Sequence, residues 1–598
     1  MYQTLKKIIY ANNRIESFLF FLFSTILFLF IGFDVVNTCT SICHSAEALN
    51  MYDNQVLCND LDVIASQNVI SPRMGGNLLY LLFLKTGFTY AEVNILLFIV
   101  SAIILGKCVS FIVSKEKFFY PYFFVLILTL LIGYTKIGVY ANFGIFDTQN
   151  PTMCLATSLS ILAITFAIYN KELSNISYIM IILASVIHIH EGIYGFIIVS
   201  IILYFHLRNR LFVKLGIYLS ILTLLALTLP NLLESHNVLT PSEFYQIYVR
   251  WRTPHHLYFF NYGYTPHILM FLSYFSIFLL ARNKEIIKKE QRLYIFFILC
   301  FLAVAFTWYV SYEIMQCKFF IKMYLPKMVK YISFVFTLLM VKAISDDVYR
   351  GYRYPVLFFT INLFFTPFIF QSLTSLAYCV IVLTIMSFIP QKYKYKNTLW
   401  ILCIMLTLYV FLAKETYNFR YIVYMCGIMF IILLGIKSTI ERVVLILMLF
   451  PLINLKVSLK TLIRTPHAFV ENTIRNHASE ELYEVSKYIH KTTSNNSIIL
   501  CDAFDKKGAY IQHISKRPVY ADWGTLPSSE EGVREWAKRC KNIESLSSWS
   551  PEQLHSFMKK NNIELVVFEK ENPNVSLSPL FSLEYSNEKY NLYSMVLE

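Results

Sequence analysis

The stretch SFLFFLFSTILFLFIGF, residues Ser17–Phe33, decides the fold class. It carries no charge, and as a helix it reaches roughly 25 Å, close to the thickness of a bilayer's hydrocarbon core. Outward from it the same pattern repeats. Ala91–Val113 is a second run almost free of charge, with only Glu92 and Lys107, and Tyr354–Pro390 has no charged residue and is long enough to cross twice. Hydrocarbon offers the backbone no hydrogen-bond partners, so only helices or a closed barrel can cross it. The strand-and-turn alternation of a barrel is absent, which leaves helices. The composition agrees: 56% of the 598 residues are hydrophobic and 15% are charged, against roughly 25% charged in soluble domains. The expected fold is a mainly α, polytopic transmembrane bundle of about 13–15 helices, spanning residues 1–456, followed by a small soluble α/β domain over 457–598.

The formal net charge of +14 does not indicate nucleic acid, because the basic residues are scattered over short loops between apolar runs. That is the distribution of positive-inside loops. Lys6, Lys7 and Arg14 hold the N-terminus inside. So do Lys171, Arg208 with Arg210, the group Arg282 to Arg292, Arg350 with Arg353, Lys392 to Lys396, and Lys437 with Arg442, each for its own loop. The alternate loops fall outside: a long one over 34–90, then 136–151, 188–192, 232–264 and 311–330. Within the first, Asn77–Leu84 is apolar but too short to span. A last span over Val443–Leu455 would place the C-terminal domain outside. That domain reads as helix Glu480–Lys491, strand Ser497–Asp502, strand Pro518–Asp522, helices Glu530–Lys541 and Pro551–Asn561, strand Ile563–Glu569 and a terminal hairpin. It contains neither GxGxxG nor GxxxxGK[ST], so no nucleotide site is assigned.

Polar residues at the outer ends of spans are the candidates for chemistry. Asp34 ends the first span, and Asp147 precedes the next one in KIGVYANFGIFDTQNP, Lys136–Pro151. Together they can supply a general base or hold a divalent cation, whose identity the sequence does not give; each can equally mark a membrane boundary or cap a helix. HIHEG puts His188, His190 and Glu191 at a span end, as a cavity wall or as a hydrated turn. YVRWRTPHH, Tyr248–His256, gathers Arg250, Arg252, His255 and His256. Arginine grips phosphate oxygens in pairs, while the bland alternative is an interfacial segment on lipid headgroups. Glu47, Asp53, Asp60 and Asp62 read as solvated loop charges, and Lys318, Lys322, Lys327 and Lys330 as side chains reaching to headgroups.

A first span ending in Asp34, a long external loop, NFGIFD with Asp147, many helices and a C-terminal external α/β domain together resemble the GT-C superfamily of membrane glycosyltransferases. HEG and RTPHH, with KRPVYADWGTLP (Lys516–Pro527) and EWAKRC (Glu535–Cys540), also resemble a set of bacterial membrane proteins without assigned activity. The GT-C resemblance implies a polyprenyl-phosphate-type saccharide donor, transfer at the outer face of the bacterial inner membrane, catalytic roles for Asp34 and Asp147, and phosphate binding by the Arg and His residues. No WWDxG motif is present, so the resemblance does not extend to the sequon-reading oligosaccharyltransferases. Two other expectations stand beside this one: an O-antigen-type polymerase or ligase that uses external Arg and His, and a lipid or polysaccharide transporter without chemistry.

Overall fold

The computed structural model describes residues 13–32, 36, 38–67, 73–118, 120–133, 145–146, 149–170, 173–206, 216–221, 223, 238–261, 263–352, 354–359, 362, 373–390, 395–412, 466–504, 507–570 and 578–596. Helix α1 is Asn13–Gly32. The first long loop is itself helical, with α2 Ser45–Tyr52, α3 Leu61–Ser66 and α4 Met74–Lys85. The bundle continues with α5 Tyr90–Glu116, α6 Pro121–Gly133, α7 Pro151–Tyr169, α8 Ser174–Ile187 and α9 Ile189–His206. It resumes with α10 Thr265–Asn283, α11 Gln291–Trp308, α12 Met328–Tyr349, α13 Leu373–Phe388 and α14 Tyr395–Leu412. Seven helices among the described residues are long and apolar enough to cross a membrane, and three shorter apolar ones accompany them. The protein is a multi-pass membrane protein. The expected span Val443–Leu455 and the 456/457 domain boundary lie outside the described residues.

Side-chain pairs sort the bundle into two ends. At one end Ser17 meets Ser110 and Ser114, Lys342 pairs with Glu116 at 2.7 Å, and Lys284 pairs with Asp347. At the other end the loops assigned by charge to the opposite side meet one another and the C-terminal domain. Close helix approach relies on small residues, as is general in membranes. A Cβ on Gly106 of α5 would lie 2.1 Å from the Thr25 Oγ1 of α1, and Ser24 Oγ donates to the Gly106 carbonyl at 3.0 Å. Helix α4 is only 12 residues long, about 18 Å. Its Gly75 abuts the Val186 carbonyl of α8, while Leu78 and Leu82 face outward beside the exposed Ile179 and Leu183 of α8. It therefore sits against the bundle as a half-span.

The soluble domain comprises α15 Pro466–Ala478, α16 Glu480–Thr492, β1 Ile498–Leu500, α17 Lys507–Ser515, α18 Glu530–Asn542, α19 Pro551–Lys560, β2 Ile563–Glu569, β3 Phe581–Ser586 and β4 Tyr590–Met595. The sheet order is β1-β2-β4-β3, with β1 parallel to β2 and the other pairs antiparallel. Ser550 caps α19 in a full capping box, fixing where that helix starts. The expected strand Pro518–Asp522 is reduced to one bridge, Ile499 to Val519, because the chain turns away to meet the bundle. Helix α17 was not anticipated; it is buried almost throughout, so no amphipathic period marks it.

Gly106→Val should force α1 and α5 apart. Overpacking of this kind costs about 1–3 kcal/mol, so the detergent-solubilised protein should melt several degrees lower, with Gly106→Ala intermediate. An unchanged melting temperature for Gly106→Val would show that the α1–α5 contact does not constrain the bundle.

Candidate functional site

The site is built where α7, α8, α9 and α12 end together. Helix α8 stops at His188, whose extended backbone lets α9 restart at Ile189. That break aims Glu191 inward, with no exposed surface. Its Oε2 lies 2.6 Å from Lys330 Nζ and accepts from the Tyr331 hydroxyl at 2.6 Å and the Thr157 hydroxyl at 3.1 Å. Lys327 approaches Oε1 at 3.7 Å. His190 Nε2 meets the Lys322 carbonyl at 2.9 Å. Two readings are corrected here. HIHEG is no hydrated turn, since a carboxylate packed against apolar helices is stable only when paired. The four lysines do not reach for headgroups either: Lys327 and Lys330 serve Glu191, while Lys318 and Lys322 pair with Glu530 of α18 at 2.8 and 3.2 Å.

Above this pair lies a small cavity walled by His44, Arg73, Asn77, Tyr80 and the start of α7 at Asn150–Thr152. Asn150 caps α7 by accepting the Met153 N–H, so the positive end of that helix faces the cavity wall. The Tyr80 ring stacks on Tyr90 at 4.3 Å and its hydroxyl donates to Asn94 at 2.5 Å. Burial pushes His44 well below the usual imidazole range, and the positive charges of Arg73 and Arg252 and the nearby His188 push it further. His44 is therefore neutral, and both guanidiniums come within electrostatic reach of it. Tyr248 lies within reach of the same two guanidiniums, and its hydroxyl receives the Tyr324 hydroxyl hydrogen at 3.1 Å.

Arg252 reaches this region from the π-helix Tyr245–Arg252. Its Nη2 donates to the Gly524 carbonyl at 2.9 Å, and its guanidinium lies 5.4 Å from the Trp523 ring centre. Three buried nitrogens here have no hydrogen-bond partner among the described residues: Arg252 Nε, His44 Nδ1 and His188 Nδ1. Each would cost about 1–3 kcal/mol if nothing met it.

The loop acids are the third correction. Glu47, Asp60 and Asp62 are 5%, 4% and 3% exposed, and only Asp53 is solvated. They form one side of a seam whose other side is the C-terminal domain. Gln512 donates to Asp60, His513 meets Ser45 at 3.0 Å, and the Thr525 hydroxyl donates to the Cys43 carbonyl at 2.7 Å. Burial pushes Asp60 up to about 6 despite its hydrogen bonds. Burial, then Glu47, pushes Asp62 well above the carboxylate range, and burial raises Asp522. Against burial, Asp62 and Glu47 keep Arg73 protonated.

Of the residues singled out in sequence, His188, His190, Glu191 and Arg252 come together. Arg250 does not: it is exposed and lies over the Tyr258 ring at 3.9 Å. His255 and His256 are half-buried, their rings 3.9 Å apart. Asp34 and Asp147 lie outside the described residues. Sequence reasoning missed His44 and Arg73, took Asp62 for a solvated loop charge and gave Asp522 no role. Arg73 alone left a signal, as a cation in a loop assigned outside. Among the described residues, no three His, Cys, Asp or Glu side chains are arranged to hold a metal ion.

Removing the Glu191 charge leaves Lys330, 1% exposed, without its anion. Glu191→Gln should lower stability by about 3–5 kcal/mol, and Glu191→Gln with Lys330→Met should recover much of that; a double variant no better than the single would refute the pairing. Asp60 supplies a pH test. Its folded value of about 6 exceeds the unfolded value of about 3.9, so its ionisation disfavours the fold progressively as pH rises from 4 past 6. Asp60→Asn should thus gain on the wild type between pH 4.5 and 8, by up to about 3 kcal/mol. A gain independent of pH in thermal melts would contradict the assignment.

A scan against protein-family models and a search of curated protein sequences give no match to this chain.

Proposed function

We propose that the protein is a membrane glycosyltransferase that transfers a sugar from a polyprenyl-phosphate-type donor to an acceptor at the outer face of the inner membrane, in surface-glycan assembly. One observation carries the reading: three buried nitrogens without partners among the described residues, Arg252 Nε, His44 Nδ1 and His188 Nδ1, stand on three separate outer segments around Arg73. One guanidinium N–H and two neutral imidazole rings, each able to carry its proton on Nδ1, suit an oxyanion beside Arg73, and a phosphate presents several acceptor oxygens at once. The cavity also opens beside the short helix α4, whose apolar face suits a phosphate that arrives on an isoprenoid tail. In this reaction the acceptor oxygen bonds to the anomeric carbon as the bond from that carbon to the phosphate oxygen breaks. The acceptor proton passes to a carboxylate, the role proposed for Asp34 with Asp147 assisting. The polyprenyl phosphate departs with the electron pair, its charge met by the guanidiniums and imidazoles.

The test uses the purified chain in phosphatidylcholine nanodiscs with polyprenyl phosphate as the probe. Arg252→Lys keeps the charge but loses the planar fork, and it should weaken binding about tenfold, the equivalent of roughly 1.4 kcal/mol. Phosphatidylglycerol in excess should not displace the probe. Wild-type affinity in an Arg252→Lys, His44→Ala double variant, or full displacement by phosphatidylglycerol, would defeat the reading. Sugar transfer lost in Asp34→Ala points to the carboxylate mechanism, and transfer retained there points to a polymerase- or ligase-type mechanism run by Arg and His. Probe binding without any sugar transfer would indicate a transporter.

A further inference from the structure

The turn Asp522–Thr525 of the C-terminal domain touches at once the residue before the cavity-lining His44 and the Arg252 guanidinium, which lies within electrostatic reach of His44. Its Gly524 carbonyl holds Arg252 at 2.9 Å, and Trp523 lies against the same guanidinium. The Thr525 hydroxyl holds the carbonyl of Cys43, the residue before His44, at 2.7 Å. The two targets come from loops about 200 positions apart in the chain, and this turn is a shared brace for both.

The turn is itself rigidly held. The Asp522 carbonyl accepts the Trp536 indole N–H at 2.9 Å. Its carboxylate is wedged between two glycines: a Cβ on Gly508 would meet Oδ1 at 3.1 Å, and one on Gly524 would meet Oδ2 at 2.9 Å and the Cys43 Cβ at 3.2 Å. Trp251, next to Arg252, packs on both Trp523 and Trp536, with ring centres 5.0 and 5.5 Å apart. A side chain at position 524 would force the Asp522 carboxylate, and with it the Cys43 side chain, to shift.

We propose that the Asp522–Thr525 turn is a positioning element that sets Arg252 and the His44 segment in register, so that the anion-binding cavity is complete only while the C-terminal domain is seated. The nature of the bound group rests on the phosphate reading above; the register does not. On this view the soluble domain reads no acceptor through the turn. It fixes the geometry of the membrane site from outside.

Full-length variants in nanodiscs separate the two ideas. Hydrogen exchange reports register directly, and polyprenyl phosphate affinity reports its consequence. Thr525→Val removes one hydroxyl donor at constant volume. It should raise exchange in both segments 38–52 and 245–257 and weaken the probe about tenfold, the scale of one hydrogen bond. Thr525→Ser should restore both. Gly524→Ala should act like Thr525→Val or more strongly. Unchanged strands β2–β4 in the same spectra confirm that the domain stays folded, and if Gly524→Ala unfolds it, Thr525→Val decides. Loosening of 38–52 alone, or of neither segment, overturns the proposal. If both segments loosen as expected but the wild type never binds polyprenyl phosphate, the ligand assignment fails and the positioning role stands. Equal affinity of Thr525→Val and wild type for a probe that does bind also overturns it.

Discussion

Glu191 is a carboxylate with no exposed surface at the end of an apolar helix, and the geometry of the membrane half follows from the need to neutralise it. An ion left alone in such surroundings costs several kcal/mol even after relaxation. Lys330 at 2.6 Å, with hydroxyls from Tyr331 and Thr157, removes that cost only if α7, α9 and α12 meet at this level. Once they do, the His188 break lies against the start of α7, and the cavity wall is set. Gly192 and Gly195 make the approach feasible, since a Cβ on either would strike α8 or α7 at 2.0 to 2.6 Å. The pair is better understood as a device for register than as a source of stability, because an apolar triad of equal volume would pack at least as favourably.

The second organising contact is the seam between the first loop and the C-terminal domain. Its polar members would be mobile if solvated, yet Glu47, Asp60, Asp62, Asp522 and Gln512 are all buried. Burial forces a choice on each group: to find a partner, as Asp60 finds Gln512 and the Asp62 N–H, or to favour the neutral form, as Asp62 does. The aromatic packing of Trp251, Trp523 and Trp536 supplies the area that offsets these costs. Glu530 with Lys318 and Lys322 closes the far side. Membrane and soluble portions therefore share one polar interior rather than lying side by side.

The membrane class, the two-ended sorting of loops and most elements of the soluble domain were legible because each rests on a local pattern. Uncharged length marks a span, basic loops mark an end, and the pattern Ile563–Glu569 marks a buried strand. What stayed hidden is burial of polar groups. Asp60 and Asp62 look like any loop acids until a domain over 400 residues away covers them. Lys330 looks like an interfacial lysine until Glu191, on another helix, meets it. Arg250 and Arg252 are two positions apart and looked equivalent, yet the wide turns of the π-helix send one to Tyr258 and the other to Gly524. His188, His190 and Glu191 were found because ionisable groups at a span end are costly wherever they point.

The acids around the cavity, Glu47, Asp62 and Asp522, outnumber its two guanidiniums, yet burial opposes the ionisation of Asp62 and Asp522. Arg73 is held protonated by Asp62 and Glu47, but the same burial raises Asp62 well above the carboxylate range, with Glu47 pushing the same way. Two carboxyls thus face one guanidinium, and burial favours the protonated form of Asp62. Asp522 beside Arg252 is raised as well. A protonated Asp62 leaves Arg73 facing one carboxylate rather than two, in a region where the low dielectric lets charge act over several ångströms. An anion entering beside Arg73 and Arg252 would meet guanidiniums that the raised acids offset only in part. It would in turn raise the nearby acids further, so that anion occupancy and proton uptake reinforce each other. Burial of the acids, by raising Asp62 and Asp522, limits how far they offset the guanidiniums that a ligand would meet.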